Sequence, residues 1–221
     1  MSEITSINSS LIQIGGNLLQ VITEPPLPPY TLRLKFTEGV TPTFSNGTGV
    51  QVSYSPNIWD LTYENSNWSS LLEYQSNLLE VIDANASNVE SMIYLFNNCT
   101  SLTSVPLFDT HNVTYMLGMF YLCNSLTSVP LYDTSKVTNM DYMFTGCTSL
   151  TSIPLFDTSK VTDMDFMFAD CSNVETGALA LYQQASSQAN PPSNHTQTFY
   201  NCGSNTTTGV AELAQIPSDW K

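Results

Sequence analysis

Basic side chains are scarce in this sequence: five Lys and Arg stand against 19 Asp and Glu, a formal net charge of -14 over 221 residues. Phosphate backbones and anionic lipid headgroups are held through clustered Lys and Arg, so this balance excludes nucleic acid as a partner and gives no attraction to an acidic membrane. Charge of either sign is thin, at 11% of residues where globular domains carry roughly 25%, so Ser, Thr, Asn, Gln and Tyr must cover the surface. Long apolar runs are missing too, and no stretch approaches the ~20 residues of a membrane helix, which argues against membrane insertion. Met1-Ser2-Glu3-Ile4 opens with an acid and without the basic region of a secretory signal. That pattern suits a cytosolic protein, a piece of a larger exported one, or a protein assembled in a cytoplasm and released by lysis. No CxxC pair occurs, and His111 and His195 lie away from the cysteines, which leaves zinc without a ligand set. Against these absences stands 42% hydrophobic content, enough to bury a core.

The cysteines count out a repeat. Cys99, Cys123, Cys147 and Cys171 are spaced by 24 residues, and Cys202 follows after 31. Phe96, Phe120, Phe144, Phe168 and Phe199 each stand three residues before a cysteine. Ser101 to Thr110 recurs as Ser125 to Thr134 and Ser149 to Thr158 with only Val/Ile and Phe/Tyr exchanges. A period of 24 lies in the leucine-rich-repeat range, where units bury their apolar faces only by stacking on neighbours. Within a unit, Val137, Met140, Met143, Phe144 and Cys147 fall at offsets of one helix face, and Thr134-Ser135 before them are N-cap types. After the cysteine a short extended piece carries Pro154 at a fixed place. The unit therefore reads as short strand, turn at Asp157-Thr158-Ser159, and helical or 3₁₀ return. The fold class expected is an α/β repeat solenoid, leucine-rich-repeat-like, with a β-rich N-terminal cap and an N-terminal arm.

Each cysteine falls on the apolar side, so the five cysteines and five phenylalanines are expected to form a buried structural ladder. Disulfides between neighbouring coils would break the equivalence of the units and leave one cysteine of five over.

Four segments follow from this pattern. Residues 1–29 form an arm, with Leu11, Ile12, Ile14, Leu18, Leu19, Val21 and Ile22 as its apolar attachment residues and Pro25 to Pro29 as a stiff spacer. Folding back on the cap is the competing reading of this arm. Residues 30–74 form the cap, in which Tyr30 to Phe36 and Val50 to Tyr54 alternate like a hairpin around a Gly-rich turn. The solenoid covers 75–202, starting from a degenerate unit at Leu78 to Ile82. An insertion at about 183–197 holds a polar loop, preceded by a helical stretch from Thr176 to Ala185. Residues 203–221 close the last coil, with Trp220 at the end.

No catalytic constellation is visible. Asp109, Asp133 and Asp157 recur at turns, where Asx-turn chemistry accounts for them without calcium, and a side chain repeated three times is building structure rather than turning over a substrate. The chain reads as a non-enzyme needing no cofactor. If Leu107, Leu131 and Leu155 point inward, then Phe108, Tyr132 and Phe156 point outward as an aromatic ladder, and a second column, Tyr94, Tyr142 and Phe166, is broken by Gly118. These six are the candidate ligand contacts; rings stacked on one another under a flanking chain are the alternative.

Units of the form Leu-Thr-Ser-Val-Pro-Leu-Phe-Asp-Thr-Ser-x-Val-Thr-x-Met-x-x-Met-Phe-x-x-Cys resemble the BspA-like leucine-rich-repeat family of bacterial surface proteins. The flanks from Leu32 to Trp68 and from Ala178 to Trp220 are similar to gut bacteriophage and prophage structural proteins that carry such repeats. The resemblance implies a right-handed solenoid, adhesion to a surface glycan or protein ligand, and neither enzymatic activity nor cofactor. The chain lacks the signal peptide, lipoprotein cysteine and cell-wall anchor of a bacterial adhesin. The expectation is therefore a virion surface protein docked on a capsid or tail protein through the arm, with a bacterial cell-surface adhesin as the alternative. A homo-oligomer is compatible with either.

Overall fold

The computed structural model describes residues 11–14, 17–20, 31–42, 48–51, 57–63 and 65–221. Near the N-terminus, β1 (Leu11–Ile14) and β2 (Asn17–Gln20) pair antiparallel with each other and with no other described strand. Val21, Ile22 and the Pro-rich spacer lie outside the described residues.

The cap is an antiparallel sheet of β3 (Thr31–Phe36), β4 (Thr48–Gln51), β5 (Ile58–Thr62) and β6 (Leu78–Asn85), in the order β4-β5-β3-β6. The hairpin expected between Tyr30–Phe36 and Val50–Tyr54 is thus corrected, because β5 lies between them and pairs with both. The chemistry of β3 explains its central place. Leu32, Leu34 and Phe36 are fully buried, while Arg33 on the alternate positions is buried too and grips the Asp60 carboxylate through Nε and Nη2 at 2.7 and 2.8 Å. Lys35 faces Glu80 of β6, so two of the five basic residues are used to hold one strand between acidic neighbours.

Past the cap, the chain climbs in 24-residue coils joined by parallel bridges: Asn67 to Ser91, Ser91 to Tyr115, Tyr115 to Asn139, and Asn139 to Asp163. The series starts at Asn67 rather than at residue 75. Leu78 to Ile82, expected as a degenerate first unit, belongs to β6, the strand that joins cap to coils through the bridge from Glu80 to Ser104.

The segment expected to be a helical or 3₁₀ return in each unit is a run of turns, closed locally by i→i+3 bonds rather than by α-helical ones. In one coil the N–H groups of Met92, Tyr94, Phe96 and Asn98 donate to the carbonyls of Tyr115, Leu117, Met119 and Tyr121 in the next coil. The intervening N–H groups of Leu95, Asn97 and Cys99 close locally onto Met92, Tyr94 and Phe96. Alternate donors are thus diverted out of the coil, and left-handed residues at Tyr94 and Asn98 (φ 53° and 57°) interrupt any helix. The same inward set, Val, Met, Met, Phe and Cys, fits a helix face and this turn run equally well.

Inside, Phe96, Phe120, Phe144, Phe168 and Phe199 stack in sequence with ring centroids 5.4, 5.3, 5.1 and 6.0 Å apart. The five cysteines lie beside them, free and buried. Cys99, Cys123, Cys147 and Cys171 donate their thiols to the carbonyls of Leu72, Phe96, Phe120 and Phe144 in the coil before, at 3.0–3.1 Å. A small side chain with a weak donor therefore fills the space and ties adjacent coils together.

After Val174 the register is held across an insertion. Helix α1 (Ala178–Ser186) and the loop after it add seven residues before Asn194 bridges back to Asp163. Helix α2 (Thr207–Leu213) is N-capped by the Thr206 hydroxyl, and its Glu212 carboxylate accepts the N–H groups of Gly177 and Leu179 at the start of α1. Trp220 closes the stack: its carbonyl receives Phe199 N–H, and its ring lies 4.2 Å from His195, edge-on to Tyr182.

Two predictions follow from this core. Burial pushes the thiols up, to about 12 for Cys99 and Cys202 against an ordinary 9.0. All five should resist alkylation in native protein at pH 8 and react together once it unfolds. Because the native thiols stay protonated where unfolded ones ionise, their contribution is complete below pH 9 and is lost toward pH 12, so denaturant midpoints should fall over that window. Phe144→Ala, removing a ring packed on both sides, should cost about 3–5 kcal/mol in equilibrium unfolding.

Candidate ligand-contact surface

The outward side chains of the coils fall into columns, and the first is not the one expected. Phe108, Tyr132 and Phe156 are buried, at 3%, 2% and 0% exposure, while Leu107, Leu131 and Leu155 stand out at 68%, 58% and 51%. The reading that gave the rings to solvent is therefore corrected. One of two consecutive apolar residues must face out, and the larger ring removes more apolar surface from water. The inward set is Val105, Phe108 and Thr110, so strict alternation fails across Pro106 and Leu107. Phe108 stacks on Tyr132 at 4.8 Å and Phe156 on Phe144 at 6.0 Å, which joins these rings to the core. The Tyr132 hydroxyl donates to Pro106 carbonyl, and burial raises its pKa well above the ordinary value.

Beside the leucines, each Asp caps its own turn. Asp109, Asp133 and Asp157 accept the N–H groups of His111, Ser135 and Ser159 at 3.1, 3.0 and 2.8 Å, and these side-chain and backbone hydrogen bonds lower each carboxyl below its usual range. The following Thr110 and Thr134 are buried and donate their hydroxyls to the carbonyls of Asp133 and Asp157 one coil on. At Thr158 the next Asp is missing, and the hydroxyl instead accepts from Gln188 Nε2 of the insertion. His111 Nδ1 sits 2.6 Å from Asp109 Oδ1. Among the described residues no group of three or more His, Cys, Asp or Glu is placed to hold a metal ion.

The second column, Tyr94, Tyr142 and Phe166, is half-exposed. Its residues occupy equivalent left-handed positions, at φ 53–55°, as does Gly118 at φ 57°. Tyr142 and Phe166 stack at 5.1 Å and 7°, contact that offsets the ~1–2 kcal/mol of an L-residue held there. Gly118 leaves a gap in the column, and the Tyr94 ring fills part of it: a Cβ on Gly118 would lie 2.2 Å from Tyr94 Cε1. Tyr121 meets Tyr142 edge-on at 6.3 Å and 71°. With Tyr74, Glu73 and Asn97 these rings line a cleft of about 360 Å³. Asn97 is buried and donates from Nδ2 to Glu73 Oε1 at 2.5 Å. Burial, then the neighbouring Tyr142, Tyr121, Glu73 and Asp141, raise the pKa of the Tyr94 hydroxyl and disfavour its ionisation.

Of the six expected contacts, Phe108, Tyr132 and Phe156 are interior, and Tyr94 and Tyr142 line the cleft while Phe166 backs Tyr142. Sequence reasoning missed Tyr74, Tyr121, Glu73 and Asn97 and the exposed leucines. The break at Gly118 marked the place over which the Tyr94 ring lies beside the cleft. The arm residues Leu11, Ile12, Ile14, Leu18 and Leu19 lie on the β1–β2 ribbon.

Stacked 24-residue coils with side chains in columns define a repeat protein, and no helix among the described residues is long and apolar enough to cross a membrane. The chain belongs to the family described as "Mycoplasma protein of unknown function, DUF285", whose model matches residues 65–180 and 123–204, more than half of its length. No curated protein and no solved structure matches it.

Gly118→Ala should destabilise the protein by about 1–2 kcal/mol, because an alanine is held in the left-handed region and must displace the Tyr94 ring. The shift should appear in denaturant melts together with an altered tyrosine emission. An unchanged emission would mean that the ring does not occupy the gap.

Proposed function

We propose that this chain is a non-enzymatic virion surface protein, a capsid or tail decoration or fibre. In this reading its coils form a BspA-like, right-handed solenoid that adheres to ligands on a bacterial host or mucosal surface. One observation carries the reading. The polar groups that recur with the coils, Asp109, Asp133, Asp157 and the cysteine thiols, are committed to backbone partners, whereas the leucine column and the tyrosine cleft are presented outward without such duties. Recurring groups used this way support display rather than turnover.

Attachment falls to the arm. The ribbon of β1 and β2 joins no other described strand, and an isolated two-stranded hairpin is marginal in water, so a capsid or tail protein would complete it. A bacterial cell-surface adhesin is the second reading, and the family's description as a Mycoplasma protein favours it.

Density-purified phage particles from a producing culture should contain the chain, and a version lacking residues 1–29 should be absent from them while remaining folded. Recovery only from cell envelopes would replace the virion reading with the adhesin. Incorporation that survives the deletion would remove the arm's role.

A further inference from the structure

We infer that the cleft formed by Tyr74, Tyr94, Tyr121 and Tyr142 beside Glu73 binds an alkylated ammonium head of the choline type, carried on a surface polymer. The inference rests on the adhesion reading and gives its ligand a chemical class.

The shape is that of a cage rather than a platform. Tyr121 stands edge-on to Tyr142 at 71°, so two walls meet at a steep angle, and the far face of Tyr142 is already covered by Phe166. Aromatic faces carry the negative side of a quadrupole, and several rings around one small cation add their attractions where a flat sugar would use one. Residue 118 has no side chain, and the Tyr94 ring that lines the cleft lies across that place.

Charge complementarity selects the cation. Glu73 lines the cleft, no Lys or Arg does, and the whole chain carries -14. An anionic ligand is repelled, and a neutral sugar gains nothing from the field. The tyrosine hydroxyls offer donors to a sugar as well, so it is the Glu73 charge among ring faces that favours the cation. A quaternary ammonium has no N–H and asks for no hydrogen bond; it needs faces of rings and a nearby carboxylate. The cleft volume of about 360 Å³ leaves room beyond such a head for its tether. The adhesion reading puts the head on a surface polymer, and phosphatidylcholine, a zwitterionic lipid that needs no basic cluster, is the other source that the test separates.

Other surfaces carry less. The wider groove lined by Ser66, Asn88, Glu90, Asn112, Thr114 and Lys136 has charges of both signs, and Lys136 is already bonded to Asn112. For the leucine column, nothing in the structure shows what covers it.

Titration of the full chain with choline chloride, followed by calorimetry and tyrosine emission, should saturate with a Kd of about 1 mM or tighter. Tyr94→Ala and Glu73→Gln should each weaken it about tenfold, and raised salt should weaken it further. Should Tyr94→Ala fail to fold, Tyr121→Leu serves in its place. Absence of saturation by choline in folded protein overturns the inference, as does N-acetylglucosamine or glucose binding that the same substitutions abolish. Co-sedimentation with phosphatidylcholine vesicles would overturn the polymer source. Choline binding by a chain missing from purified particles would sink the virion reading and leave the cage standing, whereas a particle-borne chain that ignores choline loses only the ligand class.

Discussion

The backbone N–H groups of alternate residues in each turn run reach carbonyls in the following coil, and the rest of the molecule depends on that ladder. It fixes the offset between coils, and the offset brings like side chains into register. Phe falls on Phe, Cys lies beside the carbonyl it donates to, and Thr hydroxyls bond the coil next to them. Ladder bonds and side-chain hydroxyls serve the coil backbone with little charge, and in the cap Arg33 with Asp60 and Lys35 with Glu80 add ion pairs.

A ladder of parallel coils has two open ends and must be closed. The cap sheet does this through β6, which pairs with β3 on one side and bridges to Ser104 on the other. At the far end the insertion carries α1 away from the stack and returns at Asn194 without losing register, and Trp220 covers the last phenylalanine. The surface between the ends is a row of columns. Repetition makes most columns uniform, so the place where one column breaks is where the surface becomes particular. Gly118 is that place, and the Tyr94 ring, which also lines the tyrosine cleft, lies over the missing side chain.

Much of this was legible in the sequence. The spacing of Cys99, Cys123, Cys147 and Cys171 measured the coil before any element was assigned, and the Phe three residues earlier marked the neighbouring core column. The turn run in each unit was not legible, because offsets of 0, 3, 6, 7 and 10 describe an inward set without saying where the backbone donors go. Tyr94 and Tyr142 in left-handed conformation decide the matter, and residue type gives no hint of it there. The phase of Leu107 and Phe108 was misread for a related reason. Alternation predicts sides only in a regular strand, and Pro106 withholds the donor that would have made one. Glu73 and Asn97 could be found only once coils were superposed, since they meet across a register of 24 residues.

The central claim is that the 24-residue coil is the structural quantum of the protein. Excision of residues 125–148, one full unit, measures it most directly by thermal unfolding followed by circular dichroism. The account predicts a folded chain with a single cooperative transition and the same spectral shape, because Phe120 then stacks on Phe168 and the ladder closes across the join. Excision of half a unit should unfold the protein. A full-unit deletion that fails to fold, or a half-unit deletion that folds equally well, would contradict the account.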